Sequence, residues 1–260
     1  VALESPRLRV GVALHSLRAV PESAMREVLD SRLVRDRVVH IHIAEQIGEV
    51  QDCVGIRDAR PVQWLFDHAE VGVRWCLVHA THVDETEMRA LAKSGAVAGL
   101  CPTTEANLGD GLFPLAAYLG ANGTLGIGSD SHISVSPVEE LRWLEYGQRL
   151  VTRHRNIAAR TPDASVGETL WGAALRGGRR AAGLADGSSA DFIVLDDASP
   201  LLAACDDQSV LDHFLFAGNT PLVRDVLAGG DWVVRGFRHR AEDDISARYR
   251  TAVAELASSV

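Results

Sequence analysis

The chain has 260 residues, 47% of them hydrophobic and 23% charged, with 26 Lys+Arg against 35 Asp+Glu and a formal charge of −9. Such a chain buries a sizeable core, and its acidic balance argues against nucleic acid or a membrane surface as the main partner. No apolar run approaches the ~20 residues of a membrane span. The four cysteines (Cys53, Cys76, Cys101, Cys205) form no Cys-x-x-Cys pair, so a reducing cytoplasm is the expected setting.

In chain order, the first 182 residues alternate short apolar runs with amphipathic stretches. The runs are Leu8–His15, Val38–Ile43, Trp75–His79, Val97–Cys101 and Leu125–Asp130, each predicted to be a strand. Helices are predicted at Glu22–Arg35, Pro61–His68, Asp84–Lys93, Leu112–Leu119, Pro137–His154 and Val166–Ala182. Pro61 and Pro137 suit first-turn positions, Asp84 suits an N-cap, and Gly95 suits a stop. Strands alternating with helices predict βαβ units and a parallel sheet. From Gly183 the pattern changes: Asp191–Leu195, Leu211–Phe216 and a Val223–Val234 hairpin around Gly229-Gly230-Asp231 predict a small β-rich appendage, and Glu242–Ala257 a closing helix. The expected division is thus barrel-type residues 1–182, appendage 183–240 and helix 241–260.

Four of the five runs end in a residue with chemistry to offer: His15, His42, His79 and Asp130. The remaining run ends at Cys101 and leads into a polar loop, Pro-Thr-Thr-Glu-Ala-Asn. In a parallel β/α barrel the C-terminal strand ends form one rim, where active sites sit. Alternation along a strand puts His40 with His42 on one face, groups Trp75, Leu77 and His79, and groups Gly126, Gly128 and Asp130, the glycines leaving room beneath the Asp. Any one of these histidines, taken alone, reads more readily as a hydrogen-bonded core residue. A row of ionisable strand ends does not, because buried charge without a partner is costly.

Zinc takes His nitrogen and carboxylate oxygen, which makes His42 and Asp130 the candidate metal ligands. Glu45, three residues past His42, is placed to accept a proton from the hydrolytic water, and His79 to polarise the attacked group or hold the hydroxide. Lys93 is the only lysine, leaving little for Schiff-base or P-loop chemistry.

The segments HIHIAEQ (40–46), WCLVHATHVDETEM (75–88), PTTEANLGDG (102–111), GIGSDSH (126–132) and VEELRWLEYGQRL (138–150) resemble the amidohydrolase superfamily, and within it the formimidoylglutamate deiminases of histidine degradation. The resemblance implies a (β/α)8 TIM-type barrel holding one divalent metal, usually zinc. It implies that His42 and Asp130 are ligands, that Glu45, His79 and Asp130 form the catalytic set, and that His15 and Arg18 contact the glutamate part of the substrate. The implied reaction is hydroxide attack on the formimino carbon of N-formimino-L-glutamate, giving N-formyl-L-glutamate and ammonia. Lys93 lies mid-helix, so the bridging lysine of dinuclear relatives has no candidate and one metal is expected.

The family's strand-1 His-x-His pair has no counterpart: the only such spacing, His40-x-His42, lies on the strand matching the family's fifth. The five runs match barrel strands 4 to 8. With the Val-Ala-Leu start, this makes the chain, on expectation, the C-terminal part of a longer enzyme. Leu184–Ala190 is shorter than the loop that relatives carry before an ADFIVLD-type strand. The expected partner is a small molecule, with no nucleic acid or membrane, a homodimer as candidate assembly, and the missing barrel half completing the enzyme. Glu105 and Asn107 are expected to shape the loop over the site, while His82 and His132 stand between orienting and capping roles. Two competing functions remain: a deaminase of the same superfamily acting on a nucleobase or related ring, which would have no use for Arg18, and an inactive truncated barrel.

Overall fold

The protein is described from a computed structural model for residues 8–159, 161, 163–184 and 190–259. Residues 185–189, the middle of the shortened Leu184–Ala190 segment, lie outside the described residues. The chain divides into two compact units, Val1–Asp186 with Cys205–Ala217, and Gly187–Ala204 with Gly218–Val260.

The first unit begins β1 (Val12–Ser16), α1 (Glu22–Asp30), β2 (Val39–Ile43), α2 (Ile47–Arg57), α3 (Pro61–His68) and β3 (Trp75–His79). It continues with α4 (Glu85–Ser94), β4 (Val97–Leu100), α5 (Pro102–Leu108), α6 (Leu115–Gly120), β5 (Thr124–Ile127), α7 (Pro137–Thr152), α8 (Val166–Ala181) and α9 (Val210–Phe216). The five strands form one parallel sheet in chain order, β1-β2-β3-β4-β5. Local chemistry sets the helix ends. Pro61 and Pro137 stand in first turns, Asp84 accepts the Glu87 N–H in a reciprocal capping box, and Gly95 closes α4 at φ 77°.

The strand pattern divides the two faces. On β2, Val39, Ile41 and Ile43 are fully buried, whereas His40 and His42 on the other face are half-buried. Register pairs His40 with Cys76 and His42 with Val78. Partners in a parallel ladder share a face, so Trp75 and Leu77 lie opposite His42, not beside it as expected. His79 rejoins His42's side through a left-handed φ of 67° that breaks the alternation. The space beneath Asp130 is open at Gly128, where an added Cβ would meet only Cys101 Sγ at 4.0 Å, and closed one layer deeper at Gly126. A Cβ on Gly126 would meet the Gly178 backbone at 3.3 Å, and a Cβ on Gly177 would overlap the Leu125 carbonyl, so α8 lies backbone-close against β5. His40 is held there too, its Nε2 donating to the Ala181 carbonyl at 2.8 Å.

Three further segments differ from expectation. Leu211–Phe216 is helix α9 of the first unit, not part of a β-rich appendage; a short apolar run is ambiguous by period alone. The Pro-Thr-Thr-Glu-Ala-Asn loop is helix α5, with Pro102 in its first turn and Gly109 at φ 75° after its end. Helix α2 follows Glu45 where no helix was predicted; its weakly one-sided pattern hid it.

The second unit holds β6 (Phe192–Leu195), a 3₁₀ turn (Pro200–Leu202), β7 (Val223–Ala228), β8 (Asp231–Arg235), β9 (Arg238–His239) and α10 (Glu242–Ser258). Its strands form an antiparallel sheet, β6-β7-β8-β9. Gly229 and Gly230 turn the β7–β8 hairpin at φ 58° and 86°, and the Gly229 N–H donates to Asp191.

Candidate active site

The rim at the C-terminal ends of β1, β2, β3 and β5 gathers the expected residues. The His15, His42 and His79 rings follow one another at centroid spacings of 5.6 Å. His79 Nε2 lies 3.6 Å from Glu45 Oε1 and 3.9 Å from Asp130 Oδ2. Arg18 is the outermost member, 44% exposed at its side chain and 3.9 Å from Glu45 Oε2.

These positions are held by strained backbone and buried acceptors. Ala44, His79, Ala80 and Asp130 all take φ between 48° and 67° (50°, 67°, 51° and 48°), a region that costs a non-glycine residue roughly 1–2 kcal/mol. Glu49, 3% exposed, accepts the N–H groups of Ala44 and Glu45 at 3.1 and 2.8 Å, which fixes the turn carrying Glu45. The Ala80 N–H donates to Ile43 O and the His82 N–H to Ala44 O, locking the β2 and β3 ends together. On the β5 side, Thr104 Oγ1 donates to the Ser129 carbonyl at 2.7 Å and accepts the His132 N–H at 3.1 Å, so the Asp130 turn hangs on α5.

Two ring tautomers follow from the acceptors. His42 Nδ1 lies 2.8 Å from the His15 carbonyl, which can only accept, so Nδ1 carries the hydrogen and a neutral ring keeps its lone pair on Nε2. That orientation by a carbonyl behind the ring is typical of a metal-binding histidine. His79 Nδ1 faces Glu105 Oε1 at 3.3 Å. Burial disfavours the His79 cation, yet the Glu105 hydrogen bond and the charges of Glu45, Glu105 and Asp130 outweigh it and raise its pKa above the ordinary imidazole value. The nearby thiols are poor donors: burial pushes Cys76 up to about 12 and raises Cys101 as well.

Two residues of the rim were not foreseen in these places. Glu105 is a buried helix residue bonded to His79, not part of a loop, and Glu49 had not been singled out. Pro102 and Gly109, seven residues apart, are the sequence signal that places Glu105 in a first helical turn. His82 and His132 do structural work: His82 Nε2 donates to the Asp110 carbonyl, and the His132 ring bonds Ser134 in its own loop. Among the described residues no group of three or more His, Cys, Asp or Glu is arranged to hold a metal ion. What is present is a pair of donors of the type zinc accepts, the His42 Nε2 lone pair and the Asp130 carboxylate.

A five-stranded parallel sheet with ionisable side chains gathered at the C-terminal rim is the architecture of part of a β/α barrel. Residues 2–233 match the amidohydrolase family, and the chain belongs to it. The chain is 50% identical over 98% of its length to the formimidoylglutamate deiminase of Pseudomonas aeruginosa, and covers 57% of that protein. The crystal structure of an amidohydrolase from Brucella melitensis superposes with a TM-score of 0.89 at 46% identity, over 95% of this chain and 55% of that one. An adenosine deaminase from Xanthomonas campestris with bound zinc shares the fold at a TM-score of 0.83 and 23% identity, over 98% of this chain and 59% of that one. The chain therefore spans little more than half the length of the relatives it matches.

Proposed function

We propose that the chain carries the acid–base half of a zinc-dependent deiminase that converts N-formimino-L-glutamate and water to N-formyl-L-glutamate and ammonia, in cytoplasmic histidine degradation. The observation that carries this reading is the convergence of Glu45, His79 and Asp130 beside His42, in a chain half-identical to a formimidoylglutamate deiminase. In this reading β1–β5 are strands 4 to 8 of the family's barrel, carried by the first unit together with α9, and the second unit is the appendage with its closing helix.

His42 and Asp130 would hold the metal; their donor chemistry fits zinc, but a catalytic site has three or more protein ligands, so the missing barrel half supplies the rest. When bound, zinc lowers the pKa of water so that a hydroxide is available near neutral pH. Glu45 takes the proton of the attacking water, held in position by the two N–H bonds to Glu49 behind it. His79 presents the Nε2 lone pair to the same space, where it accepts a hydrogen bond from the attacking water and holds it against the formimino carbon. Glu45 passes that proton to the terminal imino nitrogen, then takes the hydroxyl proton of the tetrahedral carbon and delivers it to the same nitrogen as the carbonyl forms and the C–N bond breaks, so that the nitrogen departs as ammonia. Arg18, exposed beside Glu45, and His15 would take the substrate carboxylate, a contact that an uncharged ring would not use.

The test is ammonia release by the chain completed with its barrel half, offered N-formimino-L-glutamate and adenosine in parallel. Equimolar N-formyl-L-glutamate and ammonia from the first, with adenosine untouched, are expected. Deamination of adenosine alone would transfer the reading to ring substrates.

A further inference from the structure

Glu105 has no task in the chemistry just described, yet it touches a group that does. It sits in the first turn of α5, 3% exposed, and its Oε1 accepts the Cys101 N–H at 3.0 Å while facing His79 Nδ1 at 3.3 Å. A carboxylate only accepts, so His79 Nδ1 carries a hydrogen and the neutral ring has its lone pair on Nε2. Nε2 is the nitrogen that faces Glu45 and Asp130. The His79 backbone is itself left-handed, so regular strand geometry does not aim the ring; a side-chain partner must.

We propose that Glu105 is the positioning residue of His79, fixing the Nδ1–H tautomer and the ring plane so that Nε2 meets the reacting group. The Cys101 N–H anchors the carboxylate to the end of β4, and the bond carries that anchorage across to β3. The kinetic consequence rests on the hydrolase reading of the site, whereas the tautomer does not. A residue that only capped α5 would leave the His79 tautomer unchanged when replaced.

The experiment uses the completed, zinc-loaded protein with ¹⁵N-labelled histidine, as wild type, Glu105→Met and Glu105→Gln, at a pH where the ring is neutral. Wild-type His79 is expected to show a protonated Nδ1 and an unprotonated Nε2. Glu105→Met is expected to lose that preference and about 10- to 100-fold in kcat, with KM and zinc content little changed. Glu105→Gln keeps an acceptor oxygen and is expected to hold the tautomer and recover most of kcat. An Nε2–H tautomer in the wild type would overturn the proposal even if Glu105→Met fails to fold. So would an unchanged tautomer, or wild-type kcat, in a folded Glu105→Met. A wild type that releases no ammonia from N-formimino-L-glutamate while keeping the Nδ1–H tautomer would strike the hydrolase reading and leave the positioning role intact.

Discussion

His42 and Glu45 stand three residues apart and should fail differently. In the completed protein, His42→Ala is expected to lose zinc and turnover together, because it removes a direct donor. Glu45→Gln fills the same space without accepting a proton, so it should keep zinc and lose about 10²- to 10⁴-fold in kcat. Elemental analysis beside kcat separates the two; full zinc occupancy in His42→Ala would end its assignment as a ligand. These residues were legible in the sequence because strand ends are easy to find and their side chains are chemically distinctive. Glu49 and Glu105 were not, because what gives them a role is contact. Glu49 acts on two backbone N–H groups in a left-handed turn, and Glu105 acts on a ring 26 residues away. No local pattern records either partner.

At the scale of elements, the strands and capped helices were readable. β3 and α3 fall on the expected residues, and Asp84, Pro61, Pro137 and Gly95 end their helices as the local chemistry dictates. What escaped was where one element rests on another. The Gly177–Leu125 approach shows only in three dimensions, and it sets up a test. Gly177→Ala gains roughly 1 kcal/mol of helix propensity, but the methyl has no space against the Leu125 carbonyl. Pushing α8 off β5 should cost more than it gains, about 1–3 kcal/mol net, read as a fall in Tm; a raised Tm would mean the contact is loose.

Helix α5 allows a second test, through Glu140, which accepts the Thr103 N–H and hydroxyl at its start at 3.0 and 2.5 Å. Burial of this carboxyl outweighs the Thr103 bonds and raises its pKa above the ordinary 4.5. A raised folded pKa means that the neutral form is favoured by folding, so stability is fully present below the unfolded pKa and is lost as pH rises through the folded one. Ionised Glu140 therefore costs stability at neutral pH. Glu140→Gln keeps an oxygen for the Thr103 N–H and an amide for its hydroxyl, so it should melt higher than wild type at pH 7, the gap closing as pH falls towards 4.5. A gap that widens on acidification would reverse the sign argued for Glu140.

For the molecule as a whole, β1 and β5 each have one neighbour in the described sheet, and the rim holds two side chains of the type zinc accepts, His42 and Asp130, where a catalytic zinc takes at least three protein ligands. The resemblance to a barrel missing three strands was readable from five strand–helix units in 182 residues. The close seat of α8 on β5 was not, because it depends on two adjacent glycines meeting a strand far away in sequence. Together these features support the proposal that this chain supplies the proton transfer and part of the metal site of a formimino hydrolase. The most direct test is ammonia release from N-formimino-L-glutamate by the 260-residue chain with zinc, alone and then with a segment carrying strands and a His-x-His pair. No turnover alone and restored turnover with the segment is the expected result. Turnover by the chain alone would mean that its own residues complete the metal site, with His40 and His82 the first to examine, and would contradict the account.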